Sequence, residues 1–356
     1  MPKLPNLPKL LLICSVCCFV VSTITLAVIY FMLDEPVPID DYRFYMKIKA
    51  NYSTENLSRA TKDINALLDN SIRILCLCTT SGKFHRSRAI FVKATWAQRC
   101  SKTIFISDQH DLFLDTKVLT TKNQWSDLWA KTRLSFQWAY DHMGNDYDWF
   151  VKADDDTFLI VENLRLFLSN FNPDESYYFG RNFLSGDDPV SLPKDPKNII
   201  SYASGGSGYV LSKEALRQLV TKAFPSPLHC SPSDEVQVKR IMEDIEIARC
   251  LKSVGVKITD TRDSMERQRF HPFAPEKHLM PGGVGEDDWI RVHDAYRYVE
   301  GPDCCSTMPI SFHYVDGQKM LQLEYLIYRL KVFGITKEEN KESILSLIQR
   351  IRQYYS

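Results

Sequence analysis

An excess of charge of either sign is the first thing this chain lacks. Its 44 Lys and Arg face 44 Asp and Glu, so bulk electrostatics offer no surface for nucleic acid, and no nucleic-acid partner is expected. Nucleotide fingerprints are missing as well: the one dense glycine segment, Ser204-Gly205-Gly206-Ser207-Gly208, has neither dinucleotide spacing nor a P-loop ending. Among the seven cysteines after residue 33 there is no C-x-x-C pair, which removes the usual signature of structural zinc. Nothing repeats, which excludes a solenoid. What is present, 44% hydrophobic and 12% aromatic residues over 356 positions, suits one large domain or two closely joined ones.

Charge is also missing from Leu10–Leu33, 24 consecutive residues that would span about 36 Å as a helix. Lys3 and Lys9 precede the run and Asp34 and Glu35 follow it. The positive-inside bias then puts residues 1–9 in the cytosol and the remainder in a lumen or outside the cell. A cleaved signal peptide competes, but the run is long and ends without a small-residue cleavage site. Cys14, Cys17 and Cys18 fall within the run, open to palmitoylation or ordinary packing. An oxidising compartment would join the other seven cysteines in up to three bridges with one thiol over, and adjacent Cys304 and Cys305 can pair with each other or with separate partners. Sequons at Asn51 and Asn56 suit an exposed stem over 34–70.

The chain is organised around Tyr147–Ile160, YDWFVKADDDTFLI. An apolar run enters the core and stops at Asp154, Asp155 and Asp156. Three adjacent carboxylates cannot be buried together without a compensating charge, so they belong at the carboxyl end of a buried strand, where open α/β sheets bind ligands. Alternation along the strand would aim Asp154 and Asp156 to one side, where a hard divalent ion would neutralise them and keep positions open for phosphate. An Asp-rich turn is the plainer alternative.

Around it, Ser71–Thr80 and Thr103–Ser107 read as strands, and Arg86–Gln98 and Trp125–Tyr140 as helices. With the strand leading to Asp154 they predict βαβ units and a mainly parallel sheet. Val161–Ser169 resumes helix geometry, Tyr177–Gly180 is a short strand, and Arg181–Tyr202, rich in Asp, Pro, Lys and Ser, is a long loop. The glycine segment then allows close backbone approach to a ligand, or is a simple turn. A helix follows from Lys213, capped by Ser212. Val236–Cys250 is helical in period, and its Asp244 is either a surface acid or a carboxylate aimed into a cleft. Ile310–Val315 is a strand carrying His313, Met320–Leu330 a helix, and residues from Thr336 an amphipathic helix with Ile344, Leu347, Ile348 and Ile351 on one face.

These residues resemble the β1,3-glycosyltransferases of the Golgi, most closely the core 1 β1,3-galactosyltransferase subgroup. The likeness runs over about Ile72–Gly334 and rests on Arg86–Trp96, Lys152–Asp156, Ser204–Ser212 and Glu243-Asp244, and more specifically on Phe270–Glu276, Val299–Cys305 and Ser311–Asp316. It implies an inverting GT-A glycosyltransferase fold over 71–334, with 335–356 as a C-terminal helix. It further implies a single-pass type II Golgi membrane protein and homodimer that uses Mn²⁺ and UDP-galactose on GalNAcα1-O-Ser/Thr of glycoproteins. Asp154, Asp156 and His313 would hold the metal, and Asp244 would be the catalytic base. Donor contacts would come from Arg86, Lys93, Asp108 and Asp155, and acceptor contacts from Trp289 and Glu243. Two departures, the long charged Arg181–Tyr202 segment and Trp289–His293, bear on acceptor choice. A catalytically silent, membrane-anchored chaperone or glycan-binding relative is the alternative, disfavoured by the intact acid cluster, Asp244 and His313.

Overall fold

A computed structural model describes residues 59–120, 127–185, 199–228, 230–231, 242–286 and 288–330. The expected membrane anchor, both sequons and the C-terminal helix lie outside these residues. No helix among the described residues is long and apolar enough to cross a membrane.

The central strand is β1 (Ile74–Thr79), whose six residues are all buried, as a strand covered on both faces requires. It pairs in parallel with β4 (Trp149–Asp154) on one side and β2 (Lys102–Ser107) on the other, and β2 pairs in parallel with β3 (Lys117–Val118). Beyond β4 lies β9 (Tyr209–Ser212), antiparallel to both β4 and β6 (Tyr178–Gly180), and β10 (Ile258–Thr259) closes the far edge parallel to β6. The fold is therefore mixed α/β, with a seven-stranded, largely parallel sheet in the order β10-β6-β9-β4-β1-β2-β3. The reversed strand β9 is the departure from βαβ expectation.

Helix α1 (Arg59–Ser71) precedes β1. Its end was expected to be stem, yet Leu68 and Ile72 are buried and Asp69 pairs with Arg165 at 2.6 Å. Arg165 lies on α2 (Val161–Leu168), so α1 is part of the fold. The expected helix over Arg86–Gln98 is broken into a π turn at His85–Ala89, a short α3 (Ile90–Ala94) and a 3₁₀ turn at Trp96–Gln98. The break is at Thr95, with φ −115° and ψ −111°, and it lets the buried Trp96 donate to the Thr157 carbonyl at 2.8 Å. Helix α4 (Leu128–Met143) contributes Trp129, Phe136 and Ala139 to the core that also holds Tyr209 and Leu211.

The predicted loop at Arg181–Tyr202 is partly a ribbon. Its ends, β7 (Asn182–Ser185) and β8 (Ile200–Ala203), pair antiparallel, while 186–198 lie outside the described residues. Polar composition hid the alternation that buries Phe183, Ser185, Ile200 and Tyr202. Ser212 caps α5 (Lys213–Gln218) as predicted, accepting from the Ala215 amide at 3.1 Å. Helix α6 (Glu243–Ser253) overlaps the predicted Val236–Cys250 helix but begins only after Met242, whose backbone is extended at φ −78° and ψ 122°, and runs past Cys250; residues 236–241 lie outside the described residues. A second, small sheet joins β5 (Phe158–Leu159), β12 (Ser311–Phe312) and β11 (Phe270–His271). His313 lies just past the end of β12 rather than within it. Helix α7 (Pro275–Leu279), α8 (Trp289–His293) and α9 (Gly317–Tyr328) complete the described elements. Disulfides join Cys76 to Cys100, Cys230 to Cys250 and Cys304 to Cys305, leaving the buried Cys78 as a thiol.

Arg181 is buried and ion-paired with Asp294, which fastens the β7–β8 ribbon to the segment after α8. Breaking such a pair strands a buried charge. Asp294→Ala should cost about 3–5 kcal/mol in chemical denaturation, and Arg181→Met with Asp294→Leu should recover most of that loss.

Candidate active site

The site forms where the ends of β4, β1 and β2 meet, beside the strand at which the order of the sheet turns outward in both directions. The acid cluster straddles the end of β4. Only Asp154 is in the strand; Asp155 and Asp156 are in the turn after it. Strand alternation therefore does not set their directions; the turn does. It is held by the Asp155 amide on the Thr79 carbonyl at 3.1 Å and the Thr157 amide on Asp154 at 3.1 Å.

Each carboxylate has a separate partner. Asp154 is 2.8 Å from the Lys152 ammonium. Asp155 turns inward, accepting from the Thr80 hydroxyl at 2.7 Å and lying 3.4 Å from Arg88. Burial pushes its pKa up to about 7, against the Thr80 hydrogen bond. Asp156 meets Arg88 at 2.9 Å and His313 Nε2 at 3.2 Å. Burial acts to raise its pKa, but the hydrogen bond and charge of His313, with Arg88, outweigh it and hold Asp156 below the usual carboxylate range.

Asp154, Asp156 and His313 each offer a ligand atom, all within 4.8 Å of one another. Two carboxylates and an imidazole form a donor set that fits a divalent ion such as Mn²⁺, which takes carboxylate oxygens and accepts an imidazole beside them. The other such group among the described residues contains Cys230 and Cys250, already joined to each other.

Asp244 meets the glycine segment at Gly205. It is half-buried near the start of α6, and its Oδ2 accepts from the Gly205 amide at 3.2 Å. Burial, with the neighbouring Glu243 charge, raises its pKa to about 6. Glu243 is buried and accepts from the Tyr209 hydroxyl at 2.7 Å. The glycines permit this closeness. A Cβ on Gly205 would sit 2.8 Å from Glu243 Oε2, and one on Gly206 would overlap the His313 imidazole.

The remaining predicted residues fall unevenly. Asp108 is buried just past β2, where its Oδ1 accepts from the Gly82 amide at 3.0 Å. Arg86 is exposed, and Lys93 donates to the Phe113 carbonyl. From that basic stretch, Arg88 is the residue that reaches the acids, its guanidinium 4.3 Å over the Phe84 ring. Trp289 is 45% exposed at one end of a row of rings: Phe273 at 6.0 Å from it, Tyr314 at 6.1 Å from Phe273, and His313 stacked on Tyr314 at 3.9 Å. Tyr314, 57% exposed and at φ +54°, was not singled out in the sequence, nor was Lys152. Lys131, within the predicted Trp125–Tyr140 helix, is buried and donates to the Thr80 carbonyl at 2.9 Å. Lysines inside apolar stretches were the available signal, because burying an ammonium demands a partner.

The Fringe-like family pattern matches residues 70–277. Over 268 residues the chain is 37% identical to glycoprotein-N-acetylgalactosamine 3-beta-galactosyltransferase 1 of Xenopus laevis, an alignment covering 75% of this chain and 69% of that one. It is 28% identical over 180 residues to beta-1,3-glucosyltransferase of Mus musculus, covering 51% of this chain and 33% of that one. Chondroitin sulfate synthase 3 of Mus musculus is 26% identical over 187 residues, covering 49% of this chain and 20% of that one.

If this trio holds Mn²⁺, then Gly206→Ala, whose added methyl group would displace the His313 ring, should weaken its binding about 10–100-fold, the usual effect of disturbing a ligand's support. Titration followed by the electron paramagnetic resonance of free Mn²⁺ measures this; unchanged affinity would remove His313 from the ligand set.

Proposed function

This chain belongs to the Fringe-like family of β1,3-glycosyltransferases, and from that premise we propose that it transfers galactose from UDP-galactose to the 3-hydroxyl of GalNAcα1-O-Ser/Thr on glycoproteins, with inversion. The observation that carries this reading is the approach of two chemically different centres over one glycine segment. A trio able to hold a divalent ion meets it at Gly206 through His313, and a carboxylate with a raised proton affinity meets it at Gly205. Separated roles of this kind suit displacement of a diphosphate by an alcohol.

Asp154, Asp156 and His313 would hold Mn²⁺, which when bound supplies positive charge for the departing diphosphate. The rest falls to the protein. Asp244 takes the proton from the acceptor 3-hydroxyl as that oxygen attacks the anomeric carbon on the face opposite UDP. A single displacement turns the α-linked donor into a β-linked product. The Gly205 amide holds Asp244 Oδ2 and so fixes where the proton is received. Asp108 and Asp155 at the strand ends, with Arg88 and Lys131 close by, form the donor side, whereas Arg86 and Lys93 retain only the support of the family likeness. The exposed rings of Trp289 and Tyr314, both packed on the buried Phe273, offer surfaces to the acceptor sugar, and Glu243 as an acceptor contact rests on the family likeness. The GT-A fold, Golgi residence as a type II membrane protein and homodimerisation belong to the same reading and rest on the family likeness.

The full-length chain, purified in detergent with Mn²⁺, UDP-galactose and a GalNAc-α-Thr peptide, should form a β1,3-linked hexose, identified by mass and linkage analysis, and Asp244→Asn should abolish it. No product from folded protein across related donors and acceptors would favour a non-catalytic role. A carboxylate base works only when ionised. The kcat should therefore be full above about pH 6, the value at which Asp244 titrates, and fall about tenfold per unit below it. A flat acid limb would exclude Asp244 as the base.

A further inference from the structure

Lys152 sits in the middle of an otherwise apolar strand and is buried with it, 5% exposed. An ammonium in such a place costs several kcal/mol unless its charge is matched and its protons are placed. Three acceptors surround its Nζ: Asp154 Oδ1 at 2.8 Å, the Gly205 carbonyl at 3.3 Å and Glu243 Oε2 at 3.7 Å. An ammonium has three protons to give, so each acceptor has one available to it.

The three belong to different parts of the site. Asp154 ends β4 and offers a ligand atom to the ion trio. Gly205 is the residue whose amide holds Asp244. Glu243 opens α6 next to Asp244, and its second oxygen is fixed by Tyr209, which stands opposite Lys152 in the β4–β9 register. A path of direct contacts thus runs from Asp154 through one ammonium to the carbonyl side and the neighbour of Asp244.

We propose that Lys152 is a positioning residue that couples the ion-binding acids to the proton-accepting carboxylate: it neutralises Glu243 beside Asp244, holds the carbonyl of Gly205, whose amide donates to Asp244, and shares the charge of Asp154. The assignment rests on the reading of Asp244 as the base. The groups facing Asp244 are few. Glu243 on its own helix raises its proton affinity and Lys152 on β4 lowers it, while Tyr178 on β6, Tyr202 on β8 and Tyr209 on β9 are all kept neutral by burial. Without the Lys152 charge, the buried Glu243 would stand uncompensated beside Asp244, and Asp244 would hold its proton to higher pH.

The test reads Asp244 directly. Infrared spectra of the full-length chain across pH, differenced against Asp244→Asn, give the midpoint at which the Asp244 carboxyl ionises. Lys152→Met should move that midpoint up by about one unit, the low end for removing a close opposite charge, and Lys152→Arg should return it toward wild type. Since Lys152→Met strands two acids and can fail to fold, the same comparison is made between Glu243→Gln and Glu243→Gln with Lys152→Met, where the midpoint should again be about one unit higher without the lysine. The acid limb of kcat should shift by the same amount. Equal midpoints with and without Lys152, in either background, would overturn the proposal. If the midpoints move but wild-type chain turns over no UDP-galactose, the coupling stands and the reading of Asp244 as the base falls.

Discussion

Like charge crowded at the end of a buried strand is the constraint to which much of this molecule answers. Asp154, Asp155 and Asp156 follow a strand whose interior is fully covered, so their mutual repulsion and desolvation must be met locally. They are met one by one, from different directions. Lys152 takes Asp154 from within the strand, Thr80 takes Asp155 from the end of β1, and Arg88 and His313 take Asp156 from the turns on either side. The middle carboxylate faces the protein while its neighbours remain available to an ion. One tripeptide thus serves both as a structural plug and as half of a binding site.

The glycine segment solves the complementary problem of distance. Acids on α6 and an imidazole after β12 have to approach the same backbone, and side chains at residues 205 and 206 would occupy the space those groups fill. Reversal of β9 supplies the rest. An antiparallel strand begins where its neighbour β4 ends, so the segment preceding β9 lies along the acid cluster. An all-parallel sheet would have carried it to the opposite edge.

Much of this was legible in the sequence, for identifiable reasons. The buried strands β1 and β4 are long apolar runs, the Ser212 cap announces α5, and the acid cluster marks the end of β4 by abrupt change of polarity. Other features depend on tertiary context that local patterns do not hold. Arg86, Arg88 and Lys93 look interchangeable until the π turn and the break at Thr95 decide which of them reaches the acids. The β7–β8 ribbon hides in polar composition because Arg181 buries its charge against Asp294, distant in sequence. Helix α1 reads as stem beside two sequons, while its attachment rests on Leu68, Ile72 and the Asp69–Arg165 pair. His313 was placed by family likeness alone, since its strand ends one residue earlier.

The contacts that complete the site are almost all between segments far apart in the chain: Ser311 donates to the Ser207 carbonyl at 2.6 Å, His313 meets Asp156, and β9 must be registered on β4. Such pairings carry the largest loop-closure cost and form slowly. A nascent chain can therefore acquire β1, β2 and their helices well before residues 311–313 have been added and docked. The contact between His313 and Asp156 is among the last to come together, so that a chain still folding holds the acid cluster well before the imidazole that meets it.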